Sequence, residues 1–141
     1  VVFGCAQPNP PAISQNQDDV LEAVVRYEIA RHKLPSNQVY FISVNGGGSL
    51  DVFLARLKDI PSVRNYSKAK PTPPNNELVD IQTGQKGIAI TAGPVSFDED
   101  GTATVSVSYY IASLAAEGFI YTIKWQNGKW VVINTTTTWV S

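Results

Sequence analysis

The strongest constraint in this chain is the alternation of its second half. "KGIAITAGPVSF", "TATVSVSYYIA", "GFIYTIKWQ" and "KWVVINTTTTWV" are long runs rich in β-branched and aromatic residues, which suit a pleated surface. In the second run Ala103, Val105, Val107, Tyr109 and Ile111 fall on one side, and Thr104, Ser106, Ser108 and Tyr110 on the other. Phe119, Tyr121, Ile123 and Trp125 alternate in the same way with Ile120, Thr122 and Lys124. A period of two with one apolar side predicts antiparallel strands, dry on one face and wet on the other. Short turns join them: "DEDG" the first pair, "AAEG" the second, "QNGK" the third. Asn127-Gly128 is the dipeptide of a type I′ hairpin turn, whose two central residues need positive φ.

A sheet with one dry face needs a cover, and the first half of the chain offers two helices. "DDVLEAVVRYEIARHK" (residues 18–33) repeats Val20, Leu21, Val24, Val25 and Tyr27 at helical spacing. Asp18 or Asp19 is placed to cap it, and Arg31, His32 and Lys33 lie where cations suit the helix dipole. Pro35 stops it. "QVYFISV" reads as a short buried strand and "NGGGS" as a flexible joint. "SLDVFLARLKDI" reads as a second helix, capped by Ser49, with Leu50, Phe53, Leu54 and Leu57 on one face and Pro61 at its end. "SVRNYS" reads as a short strand and "KAKPTPPNN" as a proline-rich surface loop. The expected fold is α+β: a curved antiparallel β-sheet meander covered on one face by two N-terminal helices. Residues 1–17 carry no Lys, Arg, Asp or Glu but hold Pro8, Pro10 and Pro11. They are expected to form an N-terminal tether, and residues 18–141 a single α+β domain.

Composition narrows the function classes. The chain has 141 residues, 43% hydrophobic and 16% charged, with a net charge of -1. That is too apolar for a disordered chain and lacks the basic footprint of nucleic-acid binding. The basic stretch Arg56, Lys58, Arg64, Lys68 and Lys70 reads as a solvated helix end and loop. One cysteine makes no internal disulfide, and no apolar run approaches the ~20 residues of a membrane span. The chain holds no methionine and is expected to be a processed form.

Candidate chemistry is sparse. Glu28 and His32 stand four apart on a helix, the spacing of an acid–base pair, but His32 lies between Arg31 and Lys33 and reads as a helix-end cation. No Ser–His–acid set can be assembled, and one His with one Cys makes no zinc site. "DEDG" (Asp98–Gly101) matches only the start of a calcium loop and reads as a hairpin tip. "VNGGGSLD" has the strand–loop–helix order of a phosphate cradle without its Lys-Ser/Thr. No catalytic residue, metal ligand or cofactor is expected. Tyr27, Glu28, Tyr109, Tyr121 and Trp125 are the candidate lining of a ligand pocket between helix and sheet.

The segment Y-x-x-x-W-x-N-G-K-W-V-V, Tyr121 through Val132, resembles the end of NTF2-like (SnoaL-like) α+β domains. The chain from Val20 is also similar to a group of bacterial proteins, often secreted or lipid-anchored, with no assigned activity. The shared features are "VYFxSV" (Val39–Val44), "FLARL" (Phe53–Leu57), "DxxTG" (Asp80–Gly84) and a "WVS" ending (Trp139–Ser141). The first helix fits the NTF2-like pattern, which normally has more helix than is found here. A cystatin-like arrangement, one helix wrapped by a sheet, is the alternative; the "QVVAG" loop of cystatin inhibitors is absent. Val2, Phe3, Gly4 and Cys5 resemble a bacterial lipobox, which implies a lipid on Cys5. The expected function is a non-catalytic, exported domain of the cell envelope or periplasm. It would be membrane-anchored through Cys5 and bind a protein partner or a small apolar ligand. An NTF2-like enzyme or carrier using the helix–sheet pocket is the first alternative, and a self-assembling structural subunit the second. Oligomeric state is not legible.

Overall fold

The computed structural model describes residues 13–46 and 49–141. Cys5 and the lipobox-like segment lie outside these residues, as do Gly47 and Gly48 of the glycine-rich joint. In chain order the elements are α1 (Ile13–Arg31), β1 (Val39–Val44), α2 (Leu50–Ala55), β2 (Val63–Asn65), β3 (Ala69–Thr72), β4 (Glu77–Asp80), β5 (Lys86–Phe97), β6 (Ala103–Ala112), β7 (Ala115–Gln126) and β8 (Lys129–Val140). The architecture is α+β, a large and mostly antiparallel sheet of eight strands in the order β2-β1-β5-β6-β7-β8, with the β3–β4 hairpin joined to β5 through β4.

Of the two expected covering helices only α1 is long among the described residues; the second is a six-residue turn of helix. Helix α1 begins before Asp18, so Asp18 and Asp19 lie inside it and no acid occupies its first turn. Asp19 instead accepts a hydrogen bond from Arg56 at 2.8 Å. At the other end the Tyr40 hydroxyl donates to the His32 carbonyl (2.6 Å) and accepts from the Leu34 N–H (3.2 Å), meeting backbone groups that a helix end leaves unpaired. Helix α2 lasts only six residues. Past it Arg56 and Leu57 donate to carbonyls three residues back (2.9 Å each), the tighter bonding that ends a helix. Ser49 holds the cap position but makes no side-chain cap bond. Phe53 and Leu57 still reach the core at 1% exposure each.

The meander is real only for β5–β8. β1 lies between β2 and β5 and runs parallel to both. Its residues explain why: Tyr40 and Ile42 join the core under α1, while Val39 and Phe41 pack on Leu78 and Ala89 in a second small cluster. A strand buried on both faces suits a parallel pairing. The "KAKPTPPNN" loop is also corrected: it contains β3, where Pro71 opposite Leu78 is tolerated because, among the described residues, β3 pairs with β4 alone. The turn between β6 and β7 falls at Ser113-Leu114, so "AAEG" belongs to β7. The Asn127-Gly128 turn has φ of 54° and 79° at its two residues, as a type I′ turn requires.

The parallel pairing of β1 with β5 rests on Gly87, opposite Val39. A β-carbon there would run into the Val39 backbone carbonyl and meet Phe41 Cε2 at 2.9 Å. Backbone cannot swing aside as a side chain can. Gly87→Ala should therefore destabilise the protein by about 1–3 kcal/mol, the cost of overpacking a core, read as a lower urea midpoint; an unchanged midpoint would contradict this account of the pairing.

Candidate functional site

The apolar stripe of α1 ends on a charge. Val20, Leu21, Val24 and Val25 are fully buried, and the next residue on that stripe, Glu28, is also 0% exposed. Tyr27, expected on the stripe, is 39% exposed. Helical spacing accounts for the exchange, since Glu28 lies one turn past Val24 and two past Leu21. The carboxyl is thus carried into the helix–sheet interface by the packing of its neighbours.

Four of the five expected pocket residues meet around it. Arg31 Nη1 donates to Glu28 Oε1 (3.2 Å) and to the Tyr121 hydroxyl (2.7 Å). Tyr27 packs edge-on to Tyr121, ring centroids 5.5 Å apart. The Tyr109 ring lies 4.3 Å from the His32 ring, and its hydroxyl donates to Glu117 Oε1 at 2.9 Å. The guanidinium of Arg31 sits 5.1 Å from the Phe119 ring centre, a cation–π distance. His32 Nε2 is 3.2 Å from Glu28 Oε2, within ion-pair range, but the two are not aligned for a hydrogen bond and both atoms are otherwise unpartnered.

Burial sets the proton here. Desolvation pushes the Glu28 carboxyl up to about 7, against the opposing pull of Arg31. Desolvation also lowers the His32 imidazole, with Arg31 acting in the same direction. The helix-end cation expected at His32 is corrected: the ring is packed against Tyr109 and is disfavoured as a cation. Burial and the bond to Glu117 raise the Tyr109 phenol. Glu28 has no exposed surface, so a substrate or ligand cannot touch it in this conformation.

Trp125, the fifth expected pocket residue, is elsewhere. It packs edge-to-face with Trp130, centroids 5.5 Å apart, at the α1 side of the β7–β8 turn. The two indoles line an open cleft of about 380 Å³ together with Asp19, Glu22, Ala23 and Arg26. Tyr27, Glu28, Tyr109 and Tyr121 take no part in it. The sequence reading missed Glu117 because it assigned that residue to a turn. Its place in the period Glu117, Phe119, Tyr121, Ile123 is the signal that finds it. It also missed Asp80, 2% exposed, which accepts from Arg64 (3.3 Å) and from the Gln82 N–H (2.8 Å). Those bonds, the backbone one foremost, hold its carboxyl below the usual range.

Of the basic stretch, Arg56 bonds Asp19 and Glu22, and Arg64 bonds Asp80. Among the described residues no group of three or more His, Cys, Asp or Glu is placed to hold a metal ion, and no helix is long and apolar enough to cross a membrane. No family model, curated protein or solved structure matches the chain.

The Glu28 carboxyl gives a pH signature of defined sign. Unfolded, it releases its proton near 4.5; folded, near 7. The folded state thus binds the extra proton between these values, and the cost of burying Glu28 grows as pH rises through that window. It is absent below and complete above, on the order of 3 kcal/mol. Glu28→Gln should therefore gain stability over the parent from pH 5 to pH 7.5, with the difference levelling off beyond, in urea melts at a series of pH values. A pH-independent difference would show that the carboxyl does not carry the shift.

Proposed function

We propose that this chain is a non-catalytic, exported domain of the cell envelope, held at the membrane by a lipid on Cys5, that binds a protein partner by strand addition at β8. The kinship with NTF2-like or cystatin-like domains belongs to the same proposal. The observation that carries the reading is the asymmetry of the sheet's edges. β2 is three residues long and is followed at once by a 3₁₀ turn (Tyr66–Lys68), a short edge of the kind that resists pairing. β8 is twelve residues long, pairs among the described residues only with β7, and has no charged residue after Lys129. Ile133, Trp139 and Val140 along it are 44%, 48% and 67% exposed. Two register shifts against β7, at Ile133 and Thr138, bend the strand but leave Asn134–Thr137 regular. Between the bulges the edge is regular and uncharged, and a stretch of this kind accepts an extended segment as an added strand.

Burial of Glu28 counts against catalysis, since an acid or base must reach the proton it moves. One observation favours an enzyme or carrier: a carboxyl poised near neutrality beside His32 and Tyr109. That reading requires α1 to lift from the sheet.

Two measurements test the proposal. Mass spectrometry of the mature protein should show Cys5 as its lipidated first residue, and Cys5→Ser should move the protein out of the membrane fraction. An intact, unmodified Val1–Cys5 would remove the anchor. A photo-crosslinking residue at Thr136 should yield one adduct of defined mass in the producing cell, reduced at least tenfold by Ile133→Lys with Val140→Lys. An adduct of twice the chain mass would favour the self-assembling subunit instead, and no adduct would overturn strand addition.

A further inference from the structure

The two halves of α1 are fastened in different ways. In the N-terminal half Val20, Leu21, Val24 and Val25 are fully buried on the sheet. Ion pairs flank them: Arg56 with Asp19 (2.8 Å) and Glu22 (3.2 Å), and Arg26 with Glu22 (3.0 Å) and Asp59 (2.9 Å). The C-terminal half has Ile29, only partly buried, and two polar clamps. The Tyr40 hydroxyl donates to the His32 carbonyl, and Arg31 donates to the Tyr121 hydroxyl. Where the stripe calls for its next apolar side chain, this half buries Glu28.

The surroundings of Glu28 suit the acid and not its anion. Arg31 donates to Oε1, but among the described residues Oε2 accepts no hydrogen bond. His32 Nε2, 3.2 Å away, is out of line and itself unpartnered. A buried oxygen left bare costs far more as part of a carboxylate than as part of a neutral acid. The charged and titratable groups that face it are Arg31 and His32 from α1, Tyr109 from β6, Glu117 and Tyr121 from β7, and the Tyr40 hydroxyl of β1 at the helix end. Glu117 adds a like charge that raises Glu28 further, and Arg31 opposes it. His32, lowered by burial and by Arg31, is neutral above its ordinary 6.5. β5 and β8 hold one charged residue each, and both are engaged elsewhere: Lys86 pairs with Glu77, and Lys129 lines the tryptophan cleft. Burial thus brings the Glu28 carboxyl to about 7, and it gives up its proton as pH rises through neutrality.

We propose that Glu28 is a pH-operated latch on one half of a helix: with its proton it lets the C-terminal half of α1 lie on β6 and β7, and without it that half leaves the sheet while the N-terminal half stays seated. Leaving the sheet gives Oε2 access to water and lets His32 turn into line with it. It also uncovers the aromatic layer of Tyr109, Phe119 and Tyr121. The closed form belongs to the acid side of neutrality and the open form to the alkaline side. The latch does not depend on strand addition at β8, and either can stand without the other.

Ring-to-ring nuclear Overhauser effects give the test, because they report contact and not charge. The Tyr27–Tyr121 pair (centroids 5.5 Å apart) and the His32–Tyr109 pair (4.3 Å) mark the C-terminal half as closed. Contacts of the Val24 and Val25 methyls with the strands mark the N-terminal half. In the labelled full chain the two ring pairs should lose at least half their intensity between pH 6 and pH 8.5, reversibly, while the valine contacts persist. The midpoint should fall at or above the Glu28 value of about 7. Glu28→Gln, which fills the same space and cannot ionise, should keep every contact at pH 8.5. His32→Asn should still lose the Tyr27–Tyr121 contact, since the proton that matters is on Glu28. Ring contacts retained at pH 8.5 would mean ionisation without movement and would overturn the latch. So would a loss shared equally by Val24 and Val25, or a loss that survives in Glu28→Gln.

Discussion

One helix has to cover a sheet wider than itself. At 1.5 Å per residue, the 19-residue α1 is about 28 Å long and about 10 Å across. Six strands at ~4.8 Å spacing span roughly 25 Å or more. The seating of Val20, Leu21, Val24 and Val25 on the sheet is therefore the contact on which the core depends, and most of the remaining inner face must be closed by side chains of the strands. Tyr109, Phe119 and Tyr121 fill beside α1 toward its C-terminal end, Trp125 and Trp130 toward its N-terminal half, and the last residues of β8 are left in solvent. The buried acid lies where α1 covers the sheet, and the exposed end of β8 where it does not.

The two buried carboxyls illustrate how local bonding decides the fate of a charge. Asp80 sits in a turn whose backbone N–H groups converge on it, so water is replaced by better-placed donors and the anion is favoured. Glu28 sits on a helix, where the backbone donors are already used in the helix itself. Among the described residues Arg31 is its single hydrogen-bond donor, shared with Tyr121, and desolvation prevails. Both carboxyls are hidden from solvent, but desolvation dominates at Glu28, beneath the helix, whereas the backbone N–H groups of a turn dominate at Asp80.

What could be read from the sequence follows the same division between local and long-range causes. The β5–β8 meander, the type I′ turn and the apolar stripe of α1 are written in periods of two and 3.6 residues, and each is present. The direction of β1 was not legible, because "VYFISV" is equally apolar in either pairing and Gly87, the partner of Val39, lies 48 residues further along the chain. The shortness of α2 was hidden by a helical pattern that is satisfied by a turn-rich segment placing the same Phe53 and Leu57 inward. The pocket residues divide in the same way. Tyr27, Glu28, Tyr109 and Tyr121 meet because α1 crosses the strands that carry them. Trp125, two residues beyond Ile123 on the same face of β7, is carried past the helix axis into a different neighbourhood.

The early start of α1 bears on geometry at a membrane. With a lipid on Cys5, only residues 6–12 separate the attachment point from the first turn of the helix, at most about 25 Å of chain when fully extended. That is shorter than a bilayer's hydrocarbon core is thick. A domain held by so short a lead would not range far from the lipid surface, and the end nearest the attachment point would be the N-terminal half of α1, where Asp19, Glu22 and Arg26 border the tryptophan cleft.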